Sequence, residues 1–158
     1  MKNRLHHNSN QFKNQSLSKT ALMATLHCLS GCAIGEVAGM VMGIALGWSN
    51  AETILLAITL AFLSGYLFTM IPILSAGYNF KAAMYIALVS DTASITIMET
   101  VDNLLMLMIP GAMDSPLNSL MFWGSLGSAL LIAGIVTFPV NLWLIARGKG
   151  HALAHAHH

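Results

Sequence analysis

Two thiols, an imidazole and four carboxylates stand inside otherwise apolar stretches of this 158-residue sequence. Cys28, Cys32 and Glu36 follow one another at i, i+4 and i+8, so on a helix they share one face, which Met40 continues. His27 precedes this row on its glycine side. A one-turn spacing sets the two thiols about 6 Å apart at Cβ, near enough to converge on one ion. Thiolates joined by an imidazole and a carboxylate suit a soft or borderline metal, Cu(I) or Zn(II). Inert burial of small cysteines is the plainer alternative, and the adjoining His27 and Glu36 weigh against it. A disulfide is not expected, because helical i, i+4 geometry rarely suits the bond.

The third apolar stretch carries Asp91, Glu99 and Asp102, with Ser90, Ser94 and Asn103 between them. At about 100° per residue, Asp91, Met98 and Asp102 fall within about 40° of one another, and Glu99 lies about 80° to one side. A carboxylate at mid-membrane depth costs about 3 kcal/mol on insertion scales. No Lys or Arg lies inside any span to pair with these acids or with Glu36. Protonation, bound cations or water in a cavity are the physical remedies. We therefore expect a cation or proton site facing the bundle interior, its polar groups forming a ladder across the membrane. Protonated acids hydrogen-bonded between helices are the purely structural alternative.

Weaker signals accompany these rows. Met40, Met42, Met106, Met108, Met113 and Met121 gather towards one membrane side, and thioethers suit Cu(I). For any single methionine, apolar filling is the simpler reading. The chain ends in a His-rich tract in which His151 and His155 would share a helical face, a plausible metal-binding tail. Pro139 is expected to kink the last helix and free the Ile135 carbonyl, with Asn141 facing the inner cavity.

Composition says which elements must position these groups. Apolar types make up 56% of the chain and charged types 8%, with a net charge of +1. That excludes an ordinary soluble enzyme, a nucleic-acid-binding module and a disordered chain. The expected fold is an all-α integral membrane protein of four transmembrane helices, at about Thr20–Trp48, Ala51–Ala76, Lys81–Pro110 and Leu117–Ala146. Each exceeds the ~20 residues that cross ~30 Å of hydrocarbon. Residues 1–19 read as a polar, mobile arm, 20–148 as the transmembrane domain and 149–158 as the His-rich tail. All seven Lys and Arg fall on one side of such a bundle. Positive-inside logic then puts both termini in the cytoplasm, in the inner (plasma) membrane. Trp48 and Trp123 would mark the outer interface and Trp143 the inner one.

Glycines at 31, 35, 39, 43 and 47 make a straight groove on the first helix, a surface for close helix–helix approach. We expect it to seal a homo-oligomer, since one set of four spans leaves little room for a pathway. Leu29-Ser30-Gly31-Cys32 resembles a lipoprotein cleavage box. The long arm and His27 in the apolar run argue that the span is retained.

Several motifs in order carry a resemblance. His27-Cys28-Leu29-Ser30-Gly31-Cys32-Ala33-Ile34-Gly35-Glu36 is followed by Asp91-Thr92-Ala93-Ser94 and Met98-Glu99-Thr100-Val101-Asp102-Asn103. Pro110-Gly111-Ala112-Met113, Phe138-Pro139-Val140-Asn141 and Arg147-Gly148-Lys149-Gly150-His151 complete the set. Over about residues 20–158 the chain resembles a bacterial membrane family known as domain of unknown function 4396. The resemblance implies a small multi-span membrane protein and brings no activity with it.

The leading expectation is binding and transport of a transition-metal cation, copper ahead of zinc. His27, Cys28 and Cys32 would form the inner site, Glu36, Asp91, Met98, Glu99 and Asp102 the deeper one, and His151 and His155 the receiving tail. The partners implied are the lipid bilayer, the metal ion and further copies of the chain, with no nucleic acid. A membrane-embedded metalloenzyme or redox protein is the second reading. No His-Glu-x-x-His or Gly-x-Ser-x-Gly motif supports it, so the enzyme reading is the less favoured. A structural or assembly subunit is the third.

Overall fold

The computed structural model describes residues 2–147, with side-chain surroundings from residue 17 onward. Four helices follow in order: α1 (Lys2–Ala45), α2 (Asn50–Ser75), α3 (Phe80–Met108) and α4 (Leu120–Ala146). Each holds a segment long and apolar enough to cross a membrane, at Leu17–Ala45, Asn50–Ser75, Phe80–Met108 and Leu120–Ala146. These bounds lie within three residues of those expected from the sequence. Among the described residues there is no strand. His151 and His155 lie outside the described residues.

Local chemistry accounts for where each helix stops and starts. Gly47 at φ +68° and Gly77 at φ +90° end the first two helices in a conformation that side chains resist. Ser49 then caps α2 in a reciprocal box with Glu52, satisfying two of its free N–H groups. Asn79 accepts from the Ala82 N–H at the start of α3, and Ser119 accepts from the Phe122 N–H at the start of α4. Nothing comparable interrupts the polar N-terminal stretch, which has no Gly or Pro before Gly31. Its backbone accordingly continues α1 back to Lys2, where the sequence reading drew a separate arm. α4 likewise runs on through Pro139.

α1 touches all three other helices, α3 touches α1, α2 and α4, and α2 and α4 stand on opposite flanks. Residues on the inward faces of α1 and α3 therefore meet across the middle of the bundle. A hydrogen bond from Asn50 Nδ2 to Asp114 Oδ1 (3.1 Å) ties the start of α2 to the α3–α4 connection at one end. We call this the loop end and the opposite one the terminal end. At the loop end, Met40, Met106, Met113, Phe122 and Leu126 form an apolar core. At mid-depth, Cys32, Ala61, Ile95, Met98 and Ala133 form a second one.

The glycine groove draws α1 against α2. A methyl at Gly31 would stand 3.0 Å from the Gly65 Cα. One at Gly35 would collide with the Leu60 carbonyl, one at Gly39 with the Ala57 backbone and one at Gly43 with the Thr53 side chain. The groove is thus the intramolecular α1–α2 seam. It is not the surface by which copies of the chain would meet, because α2 already fills it. Gly47, last in the series, serves instead as the turn.

A test follows from this seam. Gly35→Ala and Gly39→Ala should each destabilise the bundle by about 2–3 kcal/mol, the range of forced overpacking. Gly127→Ala, whose new methyl meets nothing within 4 Å, should be neutral or gain up to about 1 kcal/mol of helix propensity. Unfolding midpoints in one detergent decide the matter, and equal effects at all three positions would refute the seam.

Candidate functional site

The polar residues inside the bundle separate into two groups at different depths. Nearer the terminal end, His27, Cys28, Thr69, Ser90, Asp91, Ser94 and Asn141 line a cavity of about 30 Å³. That volume is room for a single ion or one or two waters. α1 supplies His27 and Cys28, α2 Thr69, α3 the two serines and Asp91, and α4 Asn141. The His27 ring rests against Phe68 with centroids 5.5 Å apart, and its buried Nε2 has no hydrogen-bond partner in the protein. Asp91 accepts from Ser90 Oγ (2.7 Å) through Oδ1, while its buried Oδ2 is unpartnered. Cys28 Sγ lies 3.9 Å from Cys32 Sγ, and both cysteines are free.

One flank of this cavity is fixed by a three-helix relay. Ser94 Oγ donates to Asn141 Oδ1, and Asn141 Nδ2 donates to Thr25 Oγ1 (2.8 Å). Thr25 Oγ1 in turn donates to the Ala21 carbonyl (2.9 Å). All three residues are buried. In a medium without water such a relay locks α1, α3 and α4 in register, since any broken link strands a polar atom.

About nine residues farther along α1, or roughly 13 Å at 1.5 Å per residue, stands the second group. Glu36 and Asp102 are both fully buried, and their carboxyl groups face each other within hydrogen-bonding range. None of their four oxygens receives a donor from the protein. Glu99 lies within electrostatic reach of both. Asn103 Nδ2 donates to the Glu99 carbonyl (2.9 Å), leaving Asn103 Oδ1 and Glu99 Oε1 without partners. Glu99 and Asn103 also line an open groove between α2 and α3, beside Phe62, Thr96 and Thr100.

The mid-depth apolar core separates the two groups. Cys32 and Met98, expected among the metal ligands, are both fully buried within it, packed with Ile95 and Ala133. Among the described residues, no three His, Cys, Asp or Glu side chains converge as a metal-holding set. The two sites expected from the sequence are redrawn: Asp91 joins His27 and Cys28 below the dry layer, Glu36, Glu99 and Asp102 lie above it, and Cys32 and Met98 belong to the layer itself. The methionine cluster also dissolves. Met40, Met106 and Met113 are core filling, whereas Met42, Met108 and Met121 point away from the bundle. Residues on one helix stripe share an angle but step about 6 Å in depth with each turn, so they can serve different chambers.

Sequence reasoning missed Thr25, Thr69 and Thr137. Threonine in an apolar helix usually returns its hydroxyl to the i−4 carbonyl and leaves no signal. Thr137 departs from that habit, being fully buried with its Oγ1 unpartnered.

The family model for domain of unknown function (DUF4396) matches residues 18–150, and the chain belongs to that family. Neither curated proteins nor solved structures yield a match.

Removing the centre of the relay should be costly. Asn141→Ala should destabilise the protein by about 2 kcal/mol, within the range for stranding buried partners. Thr100→Ala, at an exposed hydroxyl bonded only within its own helix, should change little. Thermal midpoints of the two variants give the comparison, and an Asn141→Ala protein as stable as the parent would show the relay contributes nothing.

Proposed function

We propose that this protein binds a transition-metal cation within the membrane and passes it across, the ion lodging at the cavity of His27, Cys28 and Asp91. One observation carries the reading. His27 Nε2 and Asp91 Oδ2 are both buried and unpartnered, and both residues line one ion-sized cavity with a free thiol. Orphaned polar atoms of this kind are costly within a membrane, and a cation is the occupant that answers an imidazole nitrogen, a thiol and a carboxylate together. The three residues line the cavity without closing on a common centre, so water would complete the ion's shell. No methionine lines this cavity, and softness there rests on Cys28. The donor set suits zinc as well as copper.

Orientation belongs to the same proposal. Lys19, Lys81 and Arg147 all stand at the terminal end, where a positive-inside arrangement would face the cytoplasm. The cavity then opens nearer the inner leaflet of a plasma membrane. Passage to the other side would require the dry layer at Cys32, Ile95 and Met98 to part.

Elemental analysis of protein purified without chelators tests the binding. The parent should retain about one copper or zinc per chain. His27→Ala with Cys28→Ser should lower that by at least about tenfold, the effect of losing roughly 1.4 kcal/mol or more of affinity. Cys32→Ala, in the dry layer, should leave it within about twofold. Metal content indifferent to His27 and Cys28 would overturn the assignment. Uptake of the same metal into vesicles tests the passage.

A further inference from the structure

Glu36 and Asp102 face each other across the centre of the bundle, α1 to α3, with nothing basic between them. Both side chains are fully buried, and all four carboxyl oxygens lack a protein donor. Two anions cannot sit at hydrogen-bonding range in oil without something positive between them. No basic group is available to balance them: the buried faces of α2 and α4 carry no titratable side chain, and the titratable groups that face the pair are Glu99 on α3 and Cys32 on α1. Both are acids. Asn103 donates its Nδ2 to the Glu99 carbonyl (2.9 Å) and to Glu99 Oε2 (3.4 Å), which gives the Glu36–Asp102 pair no donor, and its Oδ1 is an unpartnered acceptor. An ion coordinated directly by three of these groups is not what the geometry offers. The smallest cation meets the need.

We propose that Glu36 and Asp102 form a proton-binding carboxyl pair, one shared proton bridging an oxygen of each, with Glu99 the neighbouring acid through which the pair can exchange it. With the proton in place, one carboxyl donates and the other accepts, so the facing oxygens become partners and the pair carries one negative charge instead of two. Glu99, which lies between the pair and the α2–α3 groove, is the group positioned to hand protons on. The assignment is independent of what occupies the His27 cavity, about 13 Å distant along α1. It makes the middle of this membrane protein a proton station, the component a cation carrier needs if it is to exchange protons for its cargo.

Dicyclohexylcarbodiimide, an apolar reagent that attacks protonated carboxyls, tests this in the full-length protein in nanodiscs. The acid O–H adds across one C=N bond, its proton passing to nitrogen and its oxygen bonding to the central carbon. The acyl group then migrates from oxygen to nitrogen and leaves a stable N-acylurea. At neutral pH, mass spectrometry should find one adduct per chain, mapped to Glu36 or Asp102. A water-soluble carbodiimide should leave both untouched. Replacing the member of the pair that is not labelled, by Glu36→Gln or Asp102→Asn, should shift the pH profile of labelling by about one unit or more, as loss of a close like-charged neighbour requires. Where those variants fail to fold, infrared spectra of the parent stand in: a protonated-carboxyl band at neutral pH that moves on deuteration supports the pair. No adduct, an adduct confined to Asp91 or Glu99, an unshifted profile, or no such band would overturn it. Metal content is not read, so the outcome is separate from that of the cavity assignment.

Discussion

Hydrocarbon around these helices offers no solvent to a polar group, and that constraint governs the arrangement of the polar side chains inside. In hydrocarbon an unpaired carboxyl, imidazole or hydroxyl has no solvent to fall back on. The chain meets this constraint in two ways. Where neutral groups suffice it closes a relay, Ser94 to Asn141 to Thr25 to the Ala21 carbonyl, and the helices are held in register. Where acids and His27 are concerned it leaves atoms open. Such open atoms are rare in proteins that need only to be stable, and here they occur on the inward faces at two depths.

The α1–α2 seam makes this possible. Four glycines let α1 approach α2 so closely that backbone replaces side chains at the contact. That close seam leaves α1 touching α3 and α4 as well, and it brings Glu36 within reach of Asp102. Without the glycines, bulkier contacts would push α1 outward and the facing carboxyls would part. The glycine series and the acid row are thus two sides of one helix, one spent on packing and the other on the site.

Much of this was legible in the sequence. Span lengths, the turn residues at Gly47 and Gly77, and the shared face of Cys28, Cys32 and Glu36 follow from helix geometry and from the length of apolar runs. His27 was placed on the glycine side, and it indeed rests against Phe68 of α2. The partner of each face was not legible. The glycine groove looked like an interface between copies because a lone helix cannot show that its neighbour in the chain will fill it. Glu99 stands to one side of the Asp91–Met98–Asp102 stripe, yet it interacts with Asp102 because residues three apart on one helix are neighbours. The division into chambers was the larger loss: Cys32 stands one turn from Cys28 in the same stripe, and packing assigns it to the dry layer with Met98.

That dry layer bears on how the molecule could work. A continuous polar ladder would leak protons and ions alike, since any chain of polar contacts across a membrane can carry charge. Under the proposed passage of a cation, two stations with an apolar floor between them would impose an order of events instead. The layer is built of small and flexible residues, Ala61, Ala133, Met98 and Cys32, around Ile95. Methionine adapts to new packing at low cost, so small shifts of α3 against α1 could open a path through it. Helix α3 carries acids on both sides of this floor, Asp91 below and Glu99 and Asp102 above. A change of charge at either station would therefore act on the same rigid rod, and the element that separates the sites is also the one that can link them.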